Sequence, residues 1–227
     1  MTGQRRGLVD GQRLIVPEIL DHAPPEEARQ SLADLKRINR YFGGFRILGQ
    51  MVGQFARPGD AFSLLDVGAG GGDSGAALRR LFPRATIVSL DRQLVHIGQA
   101  APPRLVADAF HLPFAAASFD FVFSSLFLHH FTDEQVVELL AGFRRVARRA
   151  VLSTDLERGP LAFRFLPATR WLFQWHAITL NDGLISVQAA FKKNELLALA
   201  ARAGLTEARV AVHRPWARLS LVAPVTA

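Results

Sequence analysis

The 227-residue chain has no cysteine. Disulfides, thiolate zinc centres and cysteine nucleophiles are therefore excluded. A cysteine-free chain fits a reducing compartment, and the expected location is the cytoplasm. Lysine is scarce as well: only Lys36, Lys192 and Lys193 occur, so nearly all of the 27 cationic residues are arginine. The formal charge is +7 and the isoelectric point about 11.0. Such a balance can serve nucleic acid or an anionic surface. Yet the arginines are scattered or paired (Arg5-Arg6, Arg79-Arg80, Arg144-Arg145, Arg148-Arg149), and no run of five or more basic residues appears. No RNA-binding signature is present either, so the basic residues read as solvated helix faces and no nucleic-acid partner is expected.

Long apolar runs are missing too. Residues 14–20 are broken by Pro17 and Glu18, too short and interrupted for a signal peptide. The most apolar region, residues 110–131, contains Asp120 and paired histidines, which excludes a membrane span. There is no internal repeat and no low-complexity linker. What remains is a globular chain, 49% apolar, long enough for one large domain or a domain with a small cap.

The chain is organised around residues 62–81, FSLLDVGAGGGDSGAALRRL. An apolar run ends in Asp66-Val67, a glycine-rich turn follows, and a helical pattern then begins. This reads as a buried strand, a tight turn and a helix, the opening unit of an α/β sheet. Glycine serves where φ must be positive or where a ligand approaches bare backbone. The dinucleotide fingerprint G-x-G-x-x-G needs a third glycine at position 73, which is Asp73. That fingerprint fails. The turn is then either a plain connection or a site for another cofactor.

Further along, residues 85–90 (ATIVSL) form a second buried strand ending in Asp91-Arg92. A carboxylate there can accept from both hydroxyls of a ribose, and Asp91 follows Gly70 at about the spacing such an acid takes in a dinucleotide unit. Residues 105–108 (LVAD) are a short third strand and 121–125 the fourth. Asp66, Asp91 and Asp108 close successive strands, so all three point to one carboxyl edge. Residues 150–155 are the fifth strand; 206–212 and 219–223 are the last two, read as a hairpin-like antiparallel edge.

The acid-x-Gly-x-Gly pattern of Asp66-Val67-Gly68-Ala69-Gly70 resembles motif I of the class I methyltransferases, which bind S-adenosylmethionine. The succession Ala-Asp-Ala-Phe at 107–110, Leu-Pro-Phe at 112–114 and Ser-Phe-Asp-Phe-Val at 118–122 resembles their small-molecule, ubiquinone/menaquinone-biosynthesis type. Residues 151–159 (VLSTDLERG), Asp182-Gly183-Leu184-Ile185-Ser186-Val187, Arg40-Tyr41-Phe42-Gly43-Gly44 and Leu128-His129-His130-Phe131 are similar to a subgroup encoded beside type III polyketide synthases. The likeness runs over residues 28–205. It departs where the family shows a Leu-x-Pro-Gly-Gly turn before strand five, here Arg148-Arg149, and at Asn181, often histidine in the subgroup.

The resemblance implies a Rossmann-like, seven-stranded, mostly parallel α/β sheet with an antiparallel last strand. Helices would flank it and an N-terminal helical cap precede it. Residues 1–60 would be an arm and a cap or lid, and 61–227 the cofactor domain with a helical insertion at about 158–190. Asp66, Gly68, Ala69 and Gly70 would hold the amino-acid end of the cofactor. Asp91 and Arg92 would serve its ribose. Asp108, Ala109 and Phe110 would meet the adenine, and Ser124 and Ser125 would lie beside the sulfonium. S-adenosylhomocysteine would be the product.

The implied reaction is methyl transfer to a small aromatic or lipophilic acceptor: a polyketide, phenol or quinone. A phenol or enol must lose a proton, and His130 or His129 is placed to take it; either histidine could instead pack in the turn. The aromatic insertion (Phe163, Phe165, Trp171, Phe173, Trp175) is either cap core or substrate wall. His96, His111 and His176 are too dispersed for a metal site, so no metal is expected. A SAM-binding protein without transfer activity would show the same motifs, and an RNA methyltransferase would need a target-base motif that is absent after strand four. Monomer and homodimer both stay open.

Overall fold

The computed structural model describes residues 11–225, apart from the side chains of Asp21 and Pro25. The Arg5-Arg6 pair and the first ten residues of the expected arm lie outside the described residues. Seven strands form one sheet: β1 (Ser63–Val67), β2 (Thr86–Asp91), β3 (Arg104–Val106), β4 (Phe119–Ser125), β5 (Ala147–Leu156), β6 (Arg209–His213) and β7 (Arg218–Pro224). Their spatial order is β3-β2-β1-β4-β5-β7-β6. β1 to β5 are parallel, while β7 runs antiparallel between β5 and β6. The sheet is thus the expected Rossmann-like one, with β6 as the outer edge and β7 inside.

Alternation along the strands divides two apolar layers. Leu64, Ile87, Phe121, Phe123 and Leu152 face helices α2 (Gly44–Val52) and α3 (Asp73–Leu81). Leu65, Val67, Val122 and Val151 face α5 (Asp133–Val146) and α8 (Lys193–Arg202). On α5 the buried stripe is Val136, Leu139, Leu140, Phe143 and Val146. Thr132 and Gln135 cap its start reciprocally: the Thr132 hydroxyl accepts from Gln135 N at 3.3 Å and Gln135 Oε1 from Thr132 N at 3.0 Å. A one-turn helix, α4 (Leu94–Ile97), follows β2.

β5 starts three residues earlier than the pattern suggests. Helix α5 runs directly into it, so Arg148-Arg149 is strand rather than turn. The Arg149 guanidinium caps the lower edge of the sheet, donating to the Phe55 carbonyl and lying 5.0 Å over the Phe121 ring.

Four segments gather over the carboxyl edge. α1 (Pro25–Tyr41) lies N-terminal to α2 and packs against it through the Gly43 turn. α6 (Pro160–Phe173) and α7 (Ala177–Ala189) form a hairpin between β5 and α8. They approach closely at Gly183, where a Cβ would lie 2.1 Å from Leu166 Cδ1. Residues 11–22 form a strap, with one 3-10 turn over Ile19–His22. It is irregular but firmly held: Leu14 N donates to Gln188 O at 3.1 Å, and Ile19 N and Leu20 N donate to the Asp182 carboxylate at 3.1 and 2.9 Å.

Candidate active site

A cavity of about 460 Å³ opens at the carboxyl edge, where strand order reverses between β1 and β4. One wall is the β1 turn. Gly68 sits at φ +67°, and a Cβ there would stand 2.3 Å from Phe127 Cδ2. Gly70 N donates to Asp91 Oδ2 at 2.9 Å, and Asp91 Oδ1 accepts from Gln93 N at 2.8 Å. The acid at the end of β2 therefore fixes the glycine turn of β1. Across the turn, Lys36 of α1 pairs with Asp73 at 2.7 Å.

Asp66 is 1% exposed and its Oδ2 has no hydrogen-bond partner. Burial pushes its carboxyl up from 3.8 to about 7; nearby Asp91 adds to this, and the Gly75 N–H opposes it. An orphaned buried oxygen at the foot of a bare glycine turn fits a ligand bearing a strong donor, such as an ammonium. Asp108 lies half-exposed on the adjoining wall. Its carboxylate accepts from Phe110 N at 3.0 Å and approaches His111 Nδ1 at 3.3 Å. Those contacts hold it below the usual range: the Phe110 N–H first, against slight burial, then His111.

Of the residues expected to meet the cofactor, Asp66, Gly68, Ala69, Gly70, Asp91, Arg92, Asp108, Ala109, Phe110 and Ser125 all line this one cavity. Ser124 does not. It is fully buried within the sheet and donates to Ser153 Oγ at 3.0 Å. Strand alternation puts Ser125 on the cavity and turns its neighbour away, so the Ser124 side chain makes a contact within the sheet and forms no part of the cavity wall.

At the other end of the cavity both histidines line the wall. His129 is 3% exposed. Its Nδ1 lies 2.6 Å from Asp155 Oδ1, and its backbone N donates to Asp155 Oδ2 at 3.2 Å. Its Nε2 faces Glu18 Oε1 at 3.6 Å, and that carboxylate also accepts from the Ser186 hydroxyl. Burial alone would lower the imidazole pKa, but Asp155 and then Glu18 outweigh it and push it up to about 10. Burial also works to raise both carboxyls, and the facing histidines hold them below the usual range instead. His129 is thus a buried imidazolium between two carboxylates. The flanking carboxylates favour its protonated form, in which the ring has no lone pair to accept a further proton. His130, the other expected base, has its Nδ1 3.9 Å from Glu18 Oε1.

Glu18, His129 and His130 bring three possible ligand atoms within 4.8 Å of one another. The two rings stack at 4.3 Å with planes 28° apart. His96 and His111 instead attend Asp91 and Asp108, and His176 caps α7.

The roof is apolar. Leu32, Leu35, Ile38 and Phe42 of α1 face Phe165, Leu166, Ala162 and Val187. The aromatic insertion divides its work: Phe165 meets Phe42 edge-on at 4.5 Å on the wall, Phe173 stacks on buried Trp175 at 4.8 Å, and Trp171 is 81% exposed. The polar side chains in this part are Ser31 and Thr179, whose hydroxyl oxygens are 3.2 Å apart, with Asn39, Asp182, Ser186 and Arg218. Arg218 is 1% exposed, donates to Phe42 O at 3.1 Å and Asn39 Oδ1 at 2.8 Å, and leaves Nη1 without a partner. Burial lowers its pKa to about 10, opposed by the charge of Asp155.

Glu18 and Arg218 carry no signal in sequence, because both come from distant strap and strand positions. Asp155 had one: it stands near the end of β5 as Asp66 and Asp91 stand at the ends of β1 and β2.

Comparison with known proteins bears on this geometry. Residues 65–151, from β1 into β5, match a family model described as a methyltransferase domain. It is 37% identical over 93 residues to the malonyl-[acyl-carrier protein] O-methyltransferase of Xylella fastidiosa (strain M23), spanning 37% of this chain and 31% of that one. It thus covers about a third of that relative's length. It is also 29% identical over 157 residues to an uncharacterized methyltransferase of Synechocystis sp. (strain ATCC 27184 / PCC 6803 / Kazusa), covering 64% of this chain and 68% of the relative. Among solved structures, the plantazolicin methyltransferase BpumL in complex with SAH superposes with a TM-score of 0.66 at 13% identity, over 88% of this chain and 90% of that one. The last likeness concerns the fold alone.

Proposed function

We infer that the chain is an S-adenosylmethionine-dependent methyltransferase acting on a small, lipophilic acceptor of the phenol, quinone or polyketide kind. The observation that carries this reading is one cavity with two unlike ends. The first is a glycine turn with orphaned Asp66 and with Asp91. The second is an apolar roof over a few polar groups. Hydrophobic acceptors suit a cavity with few, placed polar atoms.

When bound, S-adenosylmethionine supplies an activated methyl group. Asp66 and the backbone at Gly68, Ala69 and Gly70 would hold its amino-acid end. Asp91, with Arg92 beside it, would hold the ribose, and Asp108, Ala109 and Phe110 the adenine. The apolar roof of α1, α6 and α7 excludes water and orients the acceptor, and holding two reactants in line can contribute on the order of 7 kcal/mol or more. His130 takes the acceptor's proton, with Glu18 behind it. The ion-paired His129 keeps Glu18 charged and in place. The first sixty residues would act as cap and lid over this domain, and the α6–α7 hairpin as its insertion.

Calorimetry with S-adenosylhomocysteine, followed by labelled methyl transfer to a panel of phenols, quinones and polyketides, tests this. Absence of nucleoside affinity would remove the reading. Affinity without transfer to any acceptor would favour a cofactor-binding protein with no transfer activity.

A further inference from the structure

Arg218 is a buried cation that the reaction as read above does not use. It opens β7 beside Leu156 of β5, and its side chain is among the largest that are fully buried. Its two hydrogen bonds go to neutral oxygens, Phe42 O and Asn39 Oδ1. Among the described residues no carboxylate stands within salt-bridge distance of it, and Nη1 has no partner. Buried charges are ordinarily paired, because an unpaired one costs several kcal/mol. A guanidinium with a free edge matches a planar anionic oxygen group.

Position narrows the ligand. β7 lies two strand places from β4 and three from β1. At about 4.8 Å per place, that is ~10 Å and ~14 Å. Arg218 therefore belongs to the acceptor end of the cavity, not to the β1–β2 crevice where the nucleoside would rest. Apart from Asn39, which it already bonds, and the more distant charge of Asp155, the cavity-lining side chains of this end include the apolar Phe42, Trp216, Leu156 and Ala162.

We propose that Arg218 is the anchor for a carboxylate carried by the acceptor. The acceptor class is then an apolar acid with a separate nucleophilic position, a hydroxy acid with an aromatic or long alkyl body. Its acid group rests on Nη1 and completes the guanidinium's hydrogen bonds. Its methylated atom lies toward β4 and His130. The anchored group and the reacting group are different parts of one molecule.

This rests on the methyltransferase reading, and the test separates the two. Protein saturated with S-adenosylhomocysteine is titrated with matched pairs: hydroxynaphthoate against hydroxynaphthamide, and hydroxydodecanoate against its amide. The expected result is at least one acid bound about tenfold or more tighter than its amide, as a charge-assisted bond implies. Arg218→Gln should abolish that preference and Arg218→Lys restore part of it, with affinity for S-adenosylhomocysteine unchanged in both. Arg218→Met melting no lower than the wild type would accord with an anchor held at a cost to the fold. Failure of any acid to bind better than its amide overturns the proposal, as does a preference that survives Arg218→Gln. Loss of S-adenosylhomocysteine binding by the wild type would instead sink the cofactor reading.

Discussion

Replacing Asp66 by asparagine should make the ligand-free protein more stable at pH 8 and a poorer binder of S-adenosylhomocysteine. Asp66 is fully buried, and its carboxyl is raised from 3.8 to about 7. A raised carboxyl means that the folded state binds the proton more tightly than the unfolded chain does. Stability from this group is therefore complete below pH 3.8, falls as pH rises, and is lost once pH passes about 7. At 1.36 kcal/mol per unit the whole loss is about 4 kcal/mol, of which about 2–3 kcal/mol falls between pH 5 and 8. Asparagine has the same shape and no charge to desolvate. At pH 5, where Asp66 is protonated, wild type and variant should differ little; at pH 8 the variant should melt higher. Adding S-adenosylhomocysteine should reverse the order, since its ammonium would partner the ionised Asp66 Oδ2. Wild-type affinity should therefore weaken below pH 7, and the variant's should not. Thermal melts at both pH values, with and without the nucleoside, supply the comparison. A variant less stable than wild type by the same amount at pH 5 and pH 8 would refute the assigned cause.

Gly68→Ala places a Cβ where Phe127 Cδ2 would be 2.3 Å away, at a positive φ. A loss of about 1–3 kcal/mol in chemical denaturation is expected, together with weakened nucleoside binding in calorimetry. His129→Ala leaves Glu18 and Asp155 buried without their shared cation, so it should cost about 3–5 kcal/mol by denaturation. His130→Ala should leave the melting curve nearly unmoved while turnover on a true phenolic acceptor falls by about 100-fold. Ser124→Ala removes only a hydrogen bond to Ser153, so affinity for S-adenosylhomocysteine should stay within twofold, about 0.4 kcal/mol.

The glycine-turn end of the cavity was legible because it is local. A strand, a turn and a helix contiguous in sequence place Asp66 and Gly68, and the parallel sheet repeats that placement for Asp91. Ser124 misled because one residue of register decides which face a strand side chain takes, and the motif runs through both neighbours. The surroundings of His129 were not legible, and a histidine's protonation is set by what surrounds it. The two carboxylates that hold its proton come from positions 18 and 155, more than a hundred residues apart.

Sequence by itself determined the sheet, the glycine turn and the row of acids at the strand ends. Each follows from periodicity, backbone freedom and spacing within a few dozen residues. The tertiary structure decided the other end of the cavity. There the strap, α7 and β7 bring Glu18, Ser186 and Arg218 to one cavity, with Asp155 of β5 buried behind His129. Charges buried together set one another's ionisation through low-dielectric contact, and no local pattern encodes which of them will meet.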